Sequence, residues 1–262
     1  MKVIFLNIWK GTMFDALMDF LKQTATDADF FCFQEVTHSP LAHQISSGGR
    51  ANMFSEIAMA LPEFHGYYAP VSRGFDEGKA VDFELSQGQA IFVRKDISIN
   101  SNGEVFLYGD KDMAPRNEPD YNLPTILQFV RFRTDDQLYI LGNVHGMPYP
   151  GSKLDNPDRL EQSRRLVSFL ADEQGRKIVG GDFNLLPDTG SIGMIEAAGM
   201  RNLIKESDIR STRNELAYGL YAQADRQHFA DYAFVSPDVR VIDFQVPRLL
   251  ISDHLPLALE FL

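Results

Sequence analysis

The stretch Lys177-Ile178-Val179-Gly180-Gly181-Asp182-Phe183-Asn184-Leu185-Leu186-Pro187 runs from an apolar strand through two glycines into a carboxylate and a carboxamide two residues apart. On an extended chain that spacing points both side chains the same way. An aspartate there can orient or deprotonate a water molecule, and an asparagine can donate to a phosphoryl oxygen without adding negative charge. Together they suit attack on a phosphorus centre. Alone, the same pair is also a common turn after a strand.

Four other segments end in the same manner, with a polar or ionisable side chain at the edge of an apolar run. They are Leu6-Asn7-Ile8-Trp9, Phe33-Gln34-Glu35-Val36, Gly142-Asn143-Val144-His145-Gly146 and Ser252-Asp253-His254-Leu255-Pro256, the last preceded by Ala230-Asp231-Tyr232. A hard divalent cation takes oxygen ligands, and a histidine that titrates near neutrality can act as a base or stabilise developing charge. Each segment is weak evidence by itself.

Between these segments the chain alternates strand-like and helix-like patterns. Residues 3–8 and 29–34 read as buried strands, and the helix expected over 13–24 takes Thr12 as its N-cap with Asp15 three positions on. Further strands are expected at 89–94, 126–132, 138–144, 177–180, 232–235, 239–246 and 257–261. Asn156-Pro157 offers a capping residue followed by proline at the first helical position, with Leu160, Leu166, Val167, Phe169 and Leu170 as the apolar face, and a second helix is expected after Ser191. The mixture of hairpin-like pairs and crossovers predicts an α/β fold, a four-layer α/β sandwich in which two mixed sheets pack face to face with helices outside. Length permits two small domains or one large one at about 150 residues per domain. With no repeat or linker in sight, a single domain over 1–262 is expected. The irregular stretches near 36–50, 70–88, 109–124 and 205–230 are long enough to be functional.

Composition bounds the chemistry. Lysine and arginine number 25 against 36 aspartate and glutamate, a formal charge of −11 that repels extended polyanions. Bound cations can reverse the local potential, so a phosphoester substrate is not excluded. The one cysteine, Cys32, lies in an apolar run and reads as a buried side chain. The opening Lys2-Val3-Ile4-Phe5-Leu6 is too short for a signal peptide, and no run approaches about 18 apolar residues. A cytoplasmic protein without a membrane anchor or an obligate protein partner is expected.

Taken in order, Leu6-Asn7, Gln34-Glu35, Asn143-Val144-His145, Gly181-Asp182-Phe183-Asn184 and Ser252-Asp253-His254 resemble the five motifs of the endonuclease/exonuclease/phosphatase superfamily, with Ala230-Asp231-Tyr232 before the last. Members include DNase I, exonuclease III, apurinic endonucleases, sphingomyelinases and inositol polyphosphate phosphatases. The resemblance covers essentially the whole chain. It implies a divalent-metal-dependent phosphoesterase working by in-line attack of water, with Mg2+ or Mn2+ as cofactor.

It further implies Glu35 as the principal metal ligand, assisted by Asn7 and Asp253. Asp182 would orient or deprotonate the water, and Asn184 would bind a non-bridging oxygen. His145 would stabilise the transition state or protonate the leaving group. His254 would contact the phosphate or act as base, held in one tautomer by Asp231. Trp9 stands where several DNA-repair members carry aspartate or asparagine, which weakens the nucleic-acid reading. The first expectation is a nuclease or nucleotide-directed phosphodiesterase acting on a phosphoester substrate, nucleic acid included. The alternatives are a lipid or inositol phosphate phosphatase, or a non-catalytic binding module on the same fold. Ser211-Thr212-Arg213, with Tyr218, Tyr221 and Arg226, could supply a substrate contact through Arg213 or be an ordinary polar loop. Arg73, Lys79 and Arg94 are further candidate phosphate contacts.

Overall fold

Along the first two strands, successive apolar side chains go to different layers, and this alternation fixes the architecture. The computed structural model describes residues 1–113, 123–134, 137–218 and 227–262. Val3 and Phe5 of β1 (Lys2–Asn7) and Phe30 and Cys32 of β2 (Phe30–His38) join a core cluster shared with the second sheet. Their neighbours Ile4, Leu6, Phe31 and Phe33 pack in another cluster with Leu17, Met18 and Leu21 of α1 (Phe14–Thr24) and Met53 and Ile57 of α2 (Met53–Ala60).

The remaining strands are β3 (Phe64–Arg73), β4 (Phe75–Asp76), β5 (Lys79–Ala80), β6 (Ser86–Arg94), β7 (Ile99–Tyr108), β8 (Thr125–Thr134), β9 (Gln137–His145), β10 (Arg176–Asp182), β11 (Arg201–Asn202), β12 (Asp231–Val235), β13 (Val241–Gln245) and β14 (Leu257–Phe261). One six-stranded sheet has the order β13-β14-β1-β2-β6-β3 and the other β11-β12-β10-β9-β8-β7, while β4 and β5 form a separate small pair. Both large sheets are mixed. The β1–β2 and β9–β10 pairs are parallel, and β1–β14, β8–β9 and β10–β12 are antiparallel. Leu166 and Leu170 of α3 (Pro157–Asp172) and Ile192 and Ile195 of α4 (Gly190–Ala197) pack on the second sheet. Two single-turn helices, α5 (Leu203–Glu206) and α6 (Glu215–Tyr218), follow among the described residues. This is the expected four-layer α/β sandwich. No helix among the described residues is long and apolar enough to cross a membrane.

The sheets come close where β1 faces β10. A Cβ added to Gly180 would lie 2.8 Å from three atoms of the Phe5 ring, so a larger residue would force the layers apart. Nearby the interface turns polar. Gln34 Nε2 donates to Asn143 Oδ1 at 2.6 Å, Asn143 Nδ2 donates to the Phe33 carbonyl at 3.0 Å, and Gln89 Nε2 donates to the Asn143 carbonyl at 2.7 Å. These amides are buried, and their bonds join strands of the two sheets at fixed positions.

The structure differs from the sequence reading in several places. Thr12 does not cap the first helix: its hydroxyl donates to the Trp9 carbonyl at 2.7 Å, and the helix starts after Met13 without a side-chain cap. The helix expected after Ser191 begins earlier, at Gly190, because Thr189 accepts from the Ile192 N–H. The Asn156 cap is as expected, with its side chain accepting from Arg159 N at 2.8 Å. Strands β3 and β7 were not foreseen. Both are edge strands, where proline and exposed polar residues are tolerated, so Gly66 and Pro70 in one and Asn100, Asn102 and Gly103 in the other mask the strand pattern. The stretch 70–88 accordingly holds the end of β3, the β4–β5 pair and the start of β6.

Gly180→Ala should cost about 1–3 kcal/mol in a chemical denaturation experiment, as overpacking typically does. Combining it with Phe5→Leu should give a smaller loss than the sum of the two single changes. Strict additivity would show that the ring and the glycine are not in the tight contact described.

Candidate active site

Register brings the second sheet's contribution into a row. His145 on β9, Asp182 on β10 and Asp231 on β12 are direct cross-strand partners. From the first sheet, Asn7 ends β1, and its Nδ2 donates to Glu35 Oε1 and to Asp182 Oδ2, both at 3.0 Å. Phe5 and Gly180 lie two residues before Asn7 and Asp182 on the same faces of their strands, so the close contact of the sheets carries these two side chains together. Strict alternation would send Glu35 to the helix side with Phe31 and Phe33. A register break between Phe33 and Val36 and a left-handed backbone at Glu35, φ 55°, re-aim it towards Asn7. Glu35 Oε2 has no hydrogen-bond partner among the described residues.

Asp182 is the hub. Its Oδ2 also lies 3.7 Å from the Nε2 atoms of both His145 and His254, and its Oδ1 accepts from Asn184 N at 2.9 Å. Burial opposes ionisation of Asp182, yet the positive charges of His254, His145, Lys153 and Arg213 hold its pKa below the usual value. His254 Nδ1 is 2.9 Å from both oxygens of Asp231. Burial opposes the imidazolium, but the Asp231 charge, joined by Asp253 and Asp182, raises the histidine to about 9. Burial in turn pushes the Asp231 carboxyl up.

Arg213 Nη2 donates to Asp253 Oδ2 at 2.6 Å, and Arg213 forms a backbone bridge with His254. Burial opposes the Arg213 charge, but Asp253, Asp182 and Asp231 raise its pKa. Ser252 Oγ donates to the Asn7 carbonyl at 2.7 Å, fastening this turn to the end of β1. Asn184, itself at φ 55°, donates Nδ2 to the Gly146 carbonyl at 3.0 Å and accepts at Oδ1 from Lys153 Nζ.

Asp182, Asp231 and His254 offer ligand atoms within 4.8 Å of one another, a group able to hold a divalent ion. His254 commits its Nδ1 to Asp231, and the raised proton affinity of its ring opposes ligation of an ion through Nε2. Glu35, with one oxygen unengaged, is the better fit to a hard cation. Asn7 sends its nitrogen to the carboxylates and accepts from Trp9 N at Oδ1, 3.0 Å away, so it arranges the acidic groups in this conformation.

The sequence matches the endonuclease/exonuclease/phosphatase family over residues 5–254. The chain belongs to that family. Solved structures of similar fold include an endonuclease/exonuclease/phosphatase of Bacteroides vulgatus, 19% identical, covering 100% of this chain and 98% of the other with a TM-score of 0.73. A family protein of Leptotrichia buccalis is 16% identical over 100% and 99%, TM-score 0.74. A mannosyl-6-phosphatase of Bacteroides thetaiotaomicron is 18% identical over 100% and 99%, TM-score 0.68. A search of curated proteins finds no match.

Within this family frame, Asn7, Glu35, His145, Asp182, Asn184, Asp231, Asp253, His254 and Arg213 are all linked by the contacts above. Arg94 is not among them: its Nη2 pairs with Asp29 at 2.6 Å and with the Ala28 carbonyl, near the start of β2. Arg73 and Lys79 lie exposed on β3 and β5. Tyr221 and Arg226 fall outside the described residues, and Tyr218 bonds Ser211 and His228. Two residues went unread. Lys153 sits in a Pro/Gly-rich turn that looks like ordinary surface, and Arg159 on the first turn of α3 looks like a solvated charge. The fully buried Arg159 instead donates to the carbonyls of Met147, Pro148, Pro150 and Leu154.

Because the folded pKa of His254 lies above its ordinary 6.5, the Asp231 pair contributes stability that is complete below about pH 6.5 and is lost as pH rises through about 9. The His254 ring resonances should titrate with a midpoint near 9 in NMR, and Asp231→Asn should move that midpoint downwards. A wild-type midpoint at or below 6.5 would contradict the pairing.

Proposed function

We propose that the chain, as one domain over residues 1–262 in the cytoplasm, is a divalent-metal-dependent phosphoesterase that hydrolyses a phosphodiester by in-line attack of water. The observation that carries this is the environment of Asp182. It is a buried carboxylate kept ionised by surrounding cations, with two imidazole nitrogens 3.7 Å from one oxygen. Such a group suits accepting a proton from, or aligning, an attacking water.

The roles follow from the charges. Glu35 would hold the ion, Mg2+ or Mn2+, with Asn7 and Asp253 the other candidate ligands; the Arg213 ion pair makes Asp253 the weaker of these. When bound, the ion offsets charge on the phosphoryl oxygens. His254, protonated through neutrality, serves as a phosphate contact and charge stabiliser rather than as the base, which leaves that part to Asp182. His145, more exposed than His254, would protonate a leaving oxygen. Asn184 spends one amide hydrogen on Gly146 and keeps the other for a non-bridging oxygen. Arg213, steadied by Asp253, adds a guanidinium to the substrate side.

A nuclease or nucleotide-directed phosphodiesterase is the first reading of the substrate. Phosphomonoester hydrolysis, in the manner of a lipid, inositol or sugar phosphate phosphatase, is the second. The formal charge of −11 favours a small substrate over a long polyanion, and one neighbour of similar fold is a mannosyl-6-phosphatase. A purely regulatory binding module would have no use for a buried, ionised Asp182 between two histidines.

Asp182→Asn should lower turnover by at least about two orders of magnitude, the scale of removing a positioned base. A panel of single-stranded DNA, RNA, bis(p-nitrophenyl) phosphate and an inositol polyphosphate, run with Mg2+, Mn2+ or chelator, gives the readout and the substrate class. Undiminished turnover in the variant, or turnover indifferent to chelator, would sink the mechanism.

A further inference from the structure

Lys153 has no part in the roles above, yet its position is costly to maintain. The residue is 8% exposed and sits at φ 58°, a left-handed conformation that a side chain with a Cβ adopts reluctantly. Arg159 holds the turn on both sides of it, donating at 2.7 Å to the carbonyls of Pro150 and of Leu154. The Lys153 carbonyl accepts from Leu186 N at 3.0 Å, tying the turn to the chain just beyond Asn184.

The ammonium donates to the Pro148 carbonyl at 2.6 Å and to Asn184 Oδ1. An ammonium has three N–H groups, so one remains without an acceptor among the described residues. Among the described residues no carboxylate is hydrogen-bonded to it. Burial lowers its pKa to about 8, and the charges of Asp182 and Glu35 act on it through space in the opposite direction. A buried cation with a spare donor, held beside the amide that faces the phosphoryl group, has the chemistry of an oxyanion contact.

We propose that Lys153 is a substrate-binding residue, whose ammonium and the Asn184 amide together hold a non-bridging oxygen of the bound phosphoryl group. The inference rests on the phosphoesterase reading for its substrate, and anion binding tests it separately. A lysine that only stapled the turn would be replaceable by a side chain of equal length without loss of anion affinity.

Inorganic phosphate is titrated calorimetrically into the full chain in Mg2+ buffer, and KM is measured with bis(p-nitrophenyl) phosphate. Lys153→Met keeps the apolar stem and should weaken phosphate binding and raise KM by about tenfold or more, the scale of one charge-assisted hydrogen bond. Lys153→Cys alkylated with bromoethylamine, which restores an ammonium, should recover most of both; the one native cysteine, Cys32, is buried. In the unmutated chain the Lys153 Nζ resonance should shift on adding phosphate, a readout that needs no variant to fold. Wild-type affinity in Lys153→Met, an unmoved Nζ resonance, or no phosphate binding by the native chain would each overturn the proposal. Phosphate bound through Lys153 without hydrolysis of any ester would instead overturn the phosphoesterase reading and leave the anion site standing.

Discussion

The ring of Phe5 lies against the backbone of Gly180 at a separation that leaves no room for a Cβ. Side chains on a strand repeat every second residue, so whatever distance holds at Phe5 and Gly180 is inherited by Asn7 and Asp182. Those two meet at 3.0 Å. The parallel β9–β10 pair and the antiparallel β10–β12 pair then deliver His145 and Asp231 to either side of Asp182 by register alone. Position in the site is thus set mainly by rigid sheet geometry. Glu35, Asn184 and Lys153 reach it from positive-φ backbone, and Gly181, immediately before Asp182, is also at positive φ.

Crowding so many charges in a buried place carries a free-energy cost, and the arrangement limits it by pairing signs at close range. Asp231 faces His254, Asp253 faces Arg213, and Asp182 faces both imidazoles, Lys153 and Arg213. The consequence is an ordering of proton affinities: the imidazole of His254 is pushed up while Asp182 is pushed down. Groups whose environments separate their pKa values in this way can divide acid and base work between them. Glu35, with an unengaged oxygen at the partly exposed edge of this network, is left free for a cation.

Much of this was legible in the sequence, and the reasons are physical. Fold class followed from the mixture of hairpin-like strand pairs and helical crossovers, the Asn156-Pro157 helix start among them. The candidate site was read from the resemblance of Leu6-Asn7, Gln34-Glu35, Asn143-Val144-His145, Gly181-Asp182-Phe183-Asn184 and Ser252-Asp253-His254, taken in order, to the family's motifs, since each strand end is weak evidence by itself. Register then gathers His145, Asp182 and Asp231 where their strands lie side by side. What stayed hidden were features that depend on the third dimension. The edge strands β3 and β7 have one strand neighbour each, so their composition is loop-like. Thr12 spends its hydroxyl on a turn carbonyl instead of a helix end. Arg94 is a plausible phosphate contact by residue type alone, but it lies near the start of β2, where Asp29 neutralises it. Lys153 and Arg159 are charges in polar sequence surroundings, and nothing in the one-dimensional pattern distinguishes a solvated lysine from one drawn inward by four carbonyls gripping a buried guanidinium.

The proposed chemistry turns on whether the carboxylates gathered where the two sheets meet hold a divalent ion at Glu35, beside Asp182. Calorimetric titration with Mn2+ addresses it most directly, on the native chain, on Glu35→Gln and on His254→Ala. Mn2+ should bind the native chain, with binding lost in Glu35→Gln and retained in His254→Ala, since the His254 imidazole is held by Asp231 rather than offered to an ion. Binding that survives Glu35→Gln but disappears with His254 would place the ion in the Asp182, Asp231 and His254 group and contradict the assignment.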